Sequence, residues 1–224
     1  MRKTVLMFLL CVFGTALNVI FNRVFAGSGI GLPLYMDTVL TITVTFIGGL
    51  FWGCLTGVLT NIAGHTMSFW GWEGYLFSLC NILTALITWK FTRLFLSELT
   101  FISNKNETEN LRSASFFKSR RLDNIMSKIF VLMLLSFILC FAISIMGGLI
   151  ASFIEIIKMP HSENPASQHS DFYGRLPLVL REIVSRIPIN IIDRIISVFA
   201  GFGIAYVIGK VVNKVKKTPN TSRH

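Results

Sequence analysis

The chain has 224 residues, 53% of them hydrophobic and only 14% charged, and its mean hydropathy is +0.65. A soluble domain carries roughly 25% charged residues, and apolar blocks as long as these would leave it with aggregating surface, so an ordinary soluble fold is excluded. The net charge of +10 does not indicate nucleic-acid binding, because the basic residues lie between and beyond the apolar blocks rather than along one face.

The first apolar block runs from about Thr4 to Phe25 behind Arg2 and Lys3. It is longer than the hydrophobic stretch of a signal peptide, and Asn18 and Asn22 interrupt it in helical register, so it is expected to be retained as a membrane helix. The glycine-rich link Gly27-Ser28-Gly29-Ile30-Gly31 follows no strand and is a connector, not a dinucleotide fingerprint. From Tyr35 to about His65 the chain is apolar for longer than the roughly 20 residues one span requires. Gly48-Gly49 divides this block, which predicts a helix starting near Met36, a tight turn near Gly48 to Gly53, and a third helix; one long tilted helix is the competing arrangement. Trp70, Trp72 and Glu73 mark a block end, where tryptophans favour the bilayer interface.

A fourth helix is expected over Tyr75 to Leu96, followed by a polar, basic loop at about 97–128 containing the sequon Asn106-Glu107-Thr108. The fifth helix covers about Ile129 to Ile157. A polar loop follows, with His161, His169, Glu163 and Asp171 at spacings that fit no standard metal motif. Leu176 to Ile187 alternates apolar residues with Arg181, Glu182 and Arg186 and suits an amphipathic helix lying in the interface. Pro188 is expected to break it, and the sixth helix to run from about Ile189 to Val212. The four cysteines, Cys11, Cys54, Cys80 and Cys140, all lie in apolar blocks without a CxxC partner and are expected to be small buried hydrophobes. The fold class is therefore all-α, a single integral membrane bundle of about six transmembrane helices over residues 1–224, with the lipid bilayer as its surroundings.

Basic residues concentrate on the cytoplasmic side of membrane proteins. With six spans and the N-terminus inside, only Arg23, Lys158, Arg175, Arg181, Arg186 and Arg194 of the 21 Lys and Arg residues fall outside. That bias predicts a multi-pass protein of the cell (cytoplasmic or inner) membrane with both termini cytoplasmic, the 97–128 loop inside, and the loop and interfacial helix at about 158–188 outside.

Small residues at four-residue spacing predict close helix packing: Gly49, Gly53 and Gly57 on the third helix, Ser144, Gly148 and Ser152 on the fifth, and Gly201, Ala205 and Gly209 on the sixth. Polar groups inside a bilayer require a cavity or a partner. Asn18, Asn22, Asp37, Asn61, His65, Glu73, Asn81, Asn190, Asp193 and Arg194 all fall near the outer end, which suits an outward pocket lidded by the Trp70–Trp72 segment. Each has a second explanation: Asp37 as a helix cap, Asp193 and Arg194 as an internal pair or snorkelling groups, Asn61 as an interhelical hydrogen bond, and the tryptophans as interfacial anchors. No GxxxxGK[ST] loop, GxSxG elbow or HExxH pair is present, so no enzyme activity and no cofactor are expected.

The segment Leu32-Pro33-Leu34-Tyr35-Met36-Asp37-Thr38, followed by IGGLFWGCLTGVLTNIAG from Ile47 to Gly64, resembles the S component, the substrate-binding membrane subunit, of energy-coupling-factor (ECF) transporters. The resemblance is clearest over residues 30–90. It implies capture of a vitamin or similar small micronutrient at an outward-facing pocket, and association with an ECF T component and ATPase subunits that supply the energy. The residues expected to meet the ligand are Asp37, Asn61, His65, Trp72, Glu73, Asn81, Asn190 and Asp193. The family's paired alanines on the first helix are replaced by Gly14 and Asn18, a departure at the surface expected to contact the T component. A membrane-embedded sensor or input module partnering a signalling protein is the alternative function. A structural membrane subunit, whose outer polar residues would only join helix to helix, is a third.

Overall fold

The structure is a computed structural model that describes residues 2–26, 34–67, 72–95, 125–158 and 176–217. Six α-helices make up almost all of these residues: α1 (Arg2–Ala26), α2 (Val39–Gly48), α3 (Leu50–Thr66), α4 (Ser78–Leu94), α5 (Ile125–Lys158) and α6 (Leu178–Lys217), with a 3-10 turn (Trp72–Phe77) leading into α4. Four stretches are long and apolar enough to cross a membrane, Lys3–Phe25, Trp72–Leu94, Ser127–Lys158 and Leu178–Val212. The chain is therefore an all-helical protein with the character of a multi-pass membrane protein. Trp70, the glycine link, the sequon at Asn106, most of the 97–128 loop and the residues around His161 and His169 lie outside the described residues.

The long apolar block is divided as the glycines predict, but at a single residue. Gly49 has φ +83° and ψ −172°, a backbone region open essentially only to glycine. Its N–H bonds to the Thr45 carbonyl, and its own carbonyl accepts the N–H of Gly53. The chain thereby reverses within one residue, and α2 and α3 form an antiparallel hairpin. A Cβ on Gly53 would run into the Thr45 hydroxyl, and one on Gly57 would lie 3.3 Å from Thr41 Cγ2 and 2.9 Å from Asn81 Cβ. The stripe thus admits α2 on one flank and α4 on the other, while Gly49 itself makes the turn.

Residue pairings set the direction of each helix. Met7 meets Gly48 and Gly14 meets Leu40, so α1 and α2 are antiparallel. Asp193 pairs with Met36, and Val39 and Thr43 approach Gly201, so α2 and α6 are parallel. Gly148 packs on Ile183 and Ser144 on Asn190, so α5 and α6 are antiparallel. Successive helices alternate, and the start of α1 and the end of α6 share one end of the bundle. The opposite end gathers the end of α1, the entry to α2, the end of α3, the 3-10 turn, the end of α5 and the start of α6.

The short helix α2 is the centre of the bundle. Every residue from Val39 to Thr45 is buried, enclosed by α1, α3, α4 and α6. At 1.5 Å per residue its ten residues cover about 15 Å, half of a bilayer core. Its Thr-Ile-Thr-Val-Thr run has β-branched character, yet in an apolar medium a helix satisfies its own backbone and a lone strand does not. The hydroxyls are satisfied locally as well: Thr43 donates to Val39 O at 2.9 Å and Thr45 to Thr41 O at 2.6 Å. Thr56, Thr60, Thr84, Ser136 and Ser152 bond one turn back in the same way. This back-bonding lets small polar residues sit in an apolar bundle without a partner on another helix.

The chain does not break at Pro188, which lies inside the continuous 40-residue α6. A proline removes one helical hydrogen bond and crowds the preceding turn, but the helix continues through it, with its flanking turns packed on α5. Arg181 forms a forked pair with Glu155 of α5 at 2.9 and 3.1 Å, and Glu182 lies 3.5 Å from Arg186 one turn on. The charges that made this segment look interfacial are paired with α5 and with each other. Ser144 and Gly148 face α6, where a Cβ on Gly148 would stand 2.9 Å from the Ile183 backbone, and Ser152 one turn on is buried. Gly201, Ala205 and Gly209 are likewise buried.

Candidate functional site

The entry to α2 is built from three helices. Helix α1 supplies Asn18, fully buried, whose Oδ1 accepts the N–H of Leu40 at 2.9 Å while its amide donates to Thr41 and Thr60, each at 3.2 Å. A helix N-terminus leaves unpaired N–H groups, and here one of them is capped by a side chain from another helix. Asn22 of α1 donates to Tyr35 O at 2.9 Å. Helix α6 supplies Asp193, fully buried, whose Oδ1 accepts the N–H of Met36 at 2.9 Å. Met36 has φ +47°, an unfavourable value for a residue with a side chain, and this bond helps hold it there.

Arg194, 3% exposed, lies at the centre. Its Nη2 is 2.6 Å from Asp193 Oδ2 and its Nη1 donates to Thr38 Oγ1 at 2.7 Å. The same Nη2 stands 3.8 Å from Asp37 Oδ1. Asp193 and Arg194 therefore pair internally and do not snorkel. Thr38, not Asp37, occupies the N-cap position, and its hydroxyl is turned to Arg194 rather than to the helix backbone. Asp37 is thus free of the capping role. Its Oδ1 is buried without a hydrogen-bond partner, its side chain is 25% exposed, and its carboxyl group lies beside its own N–H and the Asn81 side chain.

Of the eight residues expected at a ligand, Asp37, Asn81 and Asp193 come together around Arg194. Asn81 also donates to Gly57 O at 3.2 Å, and Asn190, one turn from Arg194, donates to Ser144 Oγ at 2.9 Å on the α5–α6 seam. Asn61, 8% exposed, has a long 3.5 Å contact to Phe77 O. His65 lies under Gly74, where a Cβ would strike its ring, and packs edge-on against Tyr75 at 5.8 Å. Glu73 pairs with Lys158 at 3.1 Å, which ties the 3-10 turn to the end of α5, and Trp72 is 59% exposed.

Comparison with family models, with curated proteins and with solved structures found no match to this chain.

Two groups central to this end were not placed at a ligand by the sequence. Arg194 looked equally suited to the membrane surface, since nothing local fixes its direction. Asn18 looked like an outward residue of α1 together with Gly14. Both instead point inward, and a Cβ on Gly14 would stand 3.2 Å from Leu40 Cβ. The exposed face of α1 is made by Val5, Leu6, Phe8, Leu9, Val12 and Phe13. The half-buried tetrad of Arg181, Glu155, Glu182 and Arg186 was half legible, because Glu182 and Arg186 stand one helical turn apart, whereas Glu155 is far away in sequence.

Proposed function

We propose that this chain is a non-enzymatic, substrate-binding membrane subunit of the ECF S-component type, which captures a vitamin or similar small micronutrient at its outer end. In this reading the chain crosses the membrane six times, with α2 and its lead-in as one short crossing and α3 as the next. Both termini are cytoplasmic in this reading, which the distribution of basic residues favours. A T component and ATPase subunits supply the energy that a chain without a phosphate loop does not provide.

The observation that carries the proposal is the polar centre at the entry to α2. Charged and amide groups from the lead-in to α2, from α4 and from α6 meet there, at the end opposite the start of α1 and the end of α6, and Asp37 is left with a buried oxygen that no donor among the described residues meets. A buried polar group without a partner is costly, and ionisable groups inside membrane bundles mark ligand paths far more often than packing. Asn81, Asn190 and Asp193 already have interhelical partners, which favours positioning roles for them. Direct ligand contact then falls chiefly to Asp37 and Asn61, with His65, Trp72 and Glu73 on the layer above.

The test is mass spectrometry of small molecules retained by the mildly extracted protein, together with identification of co-purifying subunits. Retention of one compound, its loss in Asp37→Ala and Asn61→Ala, and recovery of ATPase subunits are expected. Retention unaffected by both substitutions would remove the site. A kinase or regulator in place of ATPases would favour the sensor.

A further inference from the structure

Two acids at the outer end share one arginine. Of the ion pairs there, those of Lys158, Arg181 and Arg186 hold Glu73, Glu155 and Glu182, and Arg194 stands between Asp37 and Asp193. Glu73 is matched by Lys158, and Glu155 with Glu182 by Arg181 with Arg186. Arg194 remains for two acids. It is committed to Asp193, at 2.6 Å, and to Thr38, at 2.7 Å, and stands off from Asp37 at 3.8 Å. Asp37 is therefore the carboxylate that Arg194 does not engage closely, and its Oδ1 is buried without a hydrogen-bond partner among the described residues.

The groups around Asp37 do not repair this. Asn81 is an amide that is also bonded to Gly57 O, and Cys80 is a buried free thiol. An uncompensated charge in a low-dielectric setting is unfavourable and is relieved by an arriving opposite charge or by uptake of a proton. The partial exposure of the Asp37 side chain gives an incoming group a route that the fully buried Asp193 lacks.

We infer that the captured compound carries a positive charge, as a protonated amine or a cationic heterocycle, and that Asp37 is the carboxylate that receives it, with Asp193 holding Arg194 away so that this carboxylate stays available. The inference rests on the capture reading above and adds its substrate class. Asp193 is a positioning residue in this scheme, since its Oδ1 accepts the Met36 N–H and its Oδ2 stands in ion-pair contact with Arg194 at 2.6 Å.

The experiment uses the full chain in mild detergent and has two arms. In the first, the compound retained from the expressing cells is identified and its charge established, for wild type, Asp37→Asn and Asp37→Glu. A cationic compound is expected, held at least about tenfold more weakly by Asp37→Asn, the scale of one charge-assisted contact, and substantially recovered in Asp37→Glu. In the second, thermal unfolding is followed with millimolar benzylamine and with benzyl alcohol, a pair matched in shape and differing in charge. Stabilisation by the amine alone, lost in Asp37→Asn and kept in Lys90→Ala at the far end, is expected. A neutral or anionic retained compound, or retention undiminished in Asp37→Asn, overturns the charge assignment and leaves capture standing. No retained compound together with no response to either probe overturns both.

Discussion

Asn61 and Asn81 bridge the α3–α4 seam in opposite directions. Asn61 reaches from α3 to the Phe77 carbonyl, and Asn81 reaches from α4 to the Gly57 carbonyl, each acceptor lying four residues before the other asparagine. The two contacts are unequal. Asn81 is 2% exposed with a 3.2 Å bond, whereas Asn61 is 8% exposed with a 3.5 Å contact at the limit of hydrogen bonding. Asn81→Ala is expected to destabilise the purified protein by about 1–2 kcal/mol and Asn61→Ala by less than about 1 kcal/mol. Unfolding followed in detergent checks this. Asn61→Ala then gives a clean test of ligand contact, because its fold is close to that of wild type.

The Asp193–Arg194 pair is a buried ion pair with a backbone contact added. Removing one member strands the other charge, at a cost of about 3–5 kcal/mol, whereas replacing both by groups of similar volume is often close to neutral. Asp193→Ala and Arg194→Met are each expected to lower thermal stability and yield sharply. Asp193→Asn combined with Arg194→Met should cost less than Asp193→Ala alone, since the asparagine oxygen still accepts the Met36 N–H. A double variant as damaged as the sum of the single ones would show that the pair is not coupled in this way.

The helices, the α2–α3 reversal and the small-residue stripes were legible in the sequence because each is set locally. Apolar length fixes the long helices, and one glycine fixes the turn at Gly49. The gathering of polar groups at one end was also legible, since it follows from alternating helix direction. What was not legible depends on which side of a helix faces a distant neighbour. Asn18 and Arg194 are single polar residues in apolar blocks, and their partners, Leu40, Thr60 and Thr38, are far off in sequence. Pro188 misled for the same reason. Its local effect is to interrupt a helix, but the helix continues through it while the Arg181 fork ties the preceding turns to Glu155 on α5.

Asn18 joins α1 to α2 and α3 through three bonds, and a leucine there would fill similar space but leave the Leu40 N–H and two hydroxyls without this partner. Asn18→Leu is expected to cost about 1–3 kcal/mol. Asn18→Asp should be worse in the charged form, since the amide donors to Thr41 and Thr60 are lost. Comparative unfolding of the two variants checks the order.

Two glycines separate packing from composition. Gly148 lies against the Ile183 backbone, while a Cβ on Gly203 would meet nothing within 4 Å. Helix association in lipid depends on close approach at small residues, and overpacking of such a contact costs about 1–3 kcal/mol. Gly148→Val is expected to destabilise by that amount and to loosen the packing of α5 on α6, detectable as a lower unfolding temperature in detergent. Gly203→Ala should be neutral or slightly stabilising, because alanine is the better helix former.

The direction of the bundle is open to a chemical test with two positions on one continuous helical run. Trp72 and Lys90 are both exposed, and 18 residues at 1.5 Å separate them by about 27 Å, close to the thickness of a bilayer core. The four native cysteines are free and are first replaced by serine or alanine. In intact cells a membrane-impermeant maleimide is expected to label Trp72→Cys from outside and to leave Lys90→Cys unlabelled until the cells are permeabilised. The reverse pattern would place Asp37 and Arg194 on the cytoplasmic side. The polar centre would then face the cell interior, and capture of an external compound would no longer follow from its geometry.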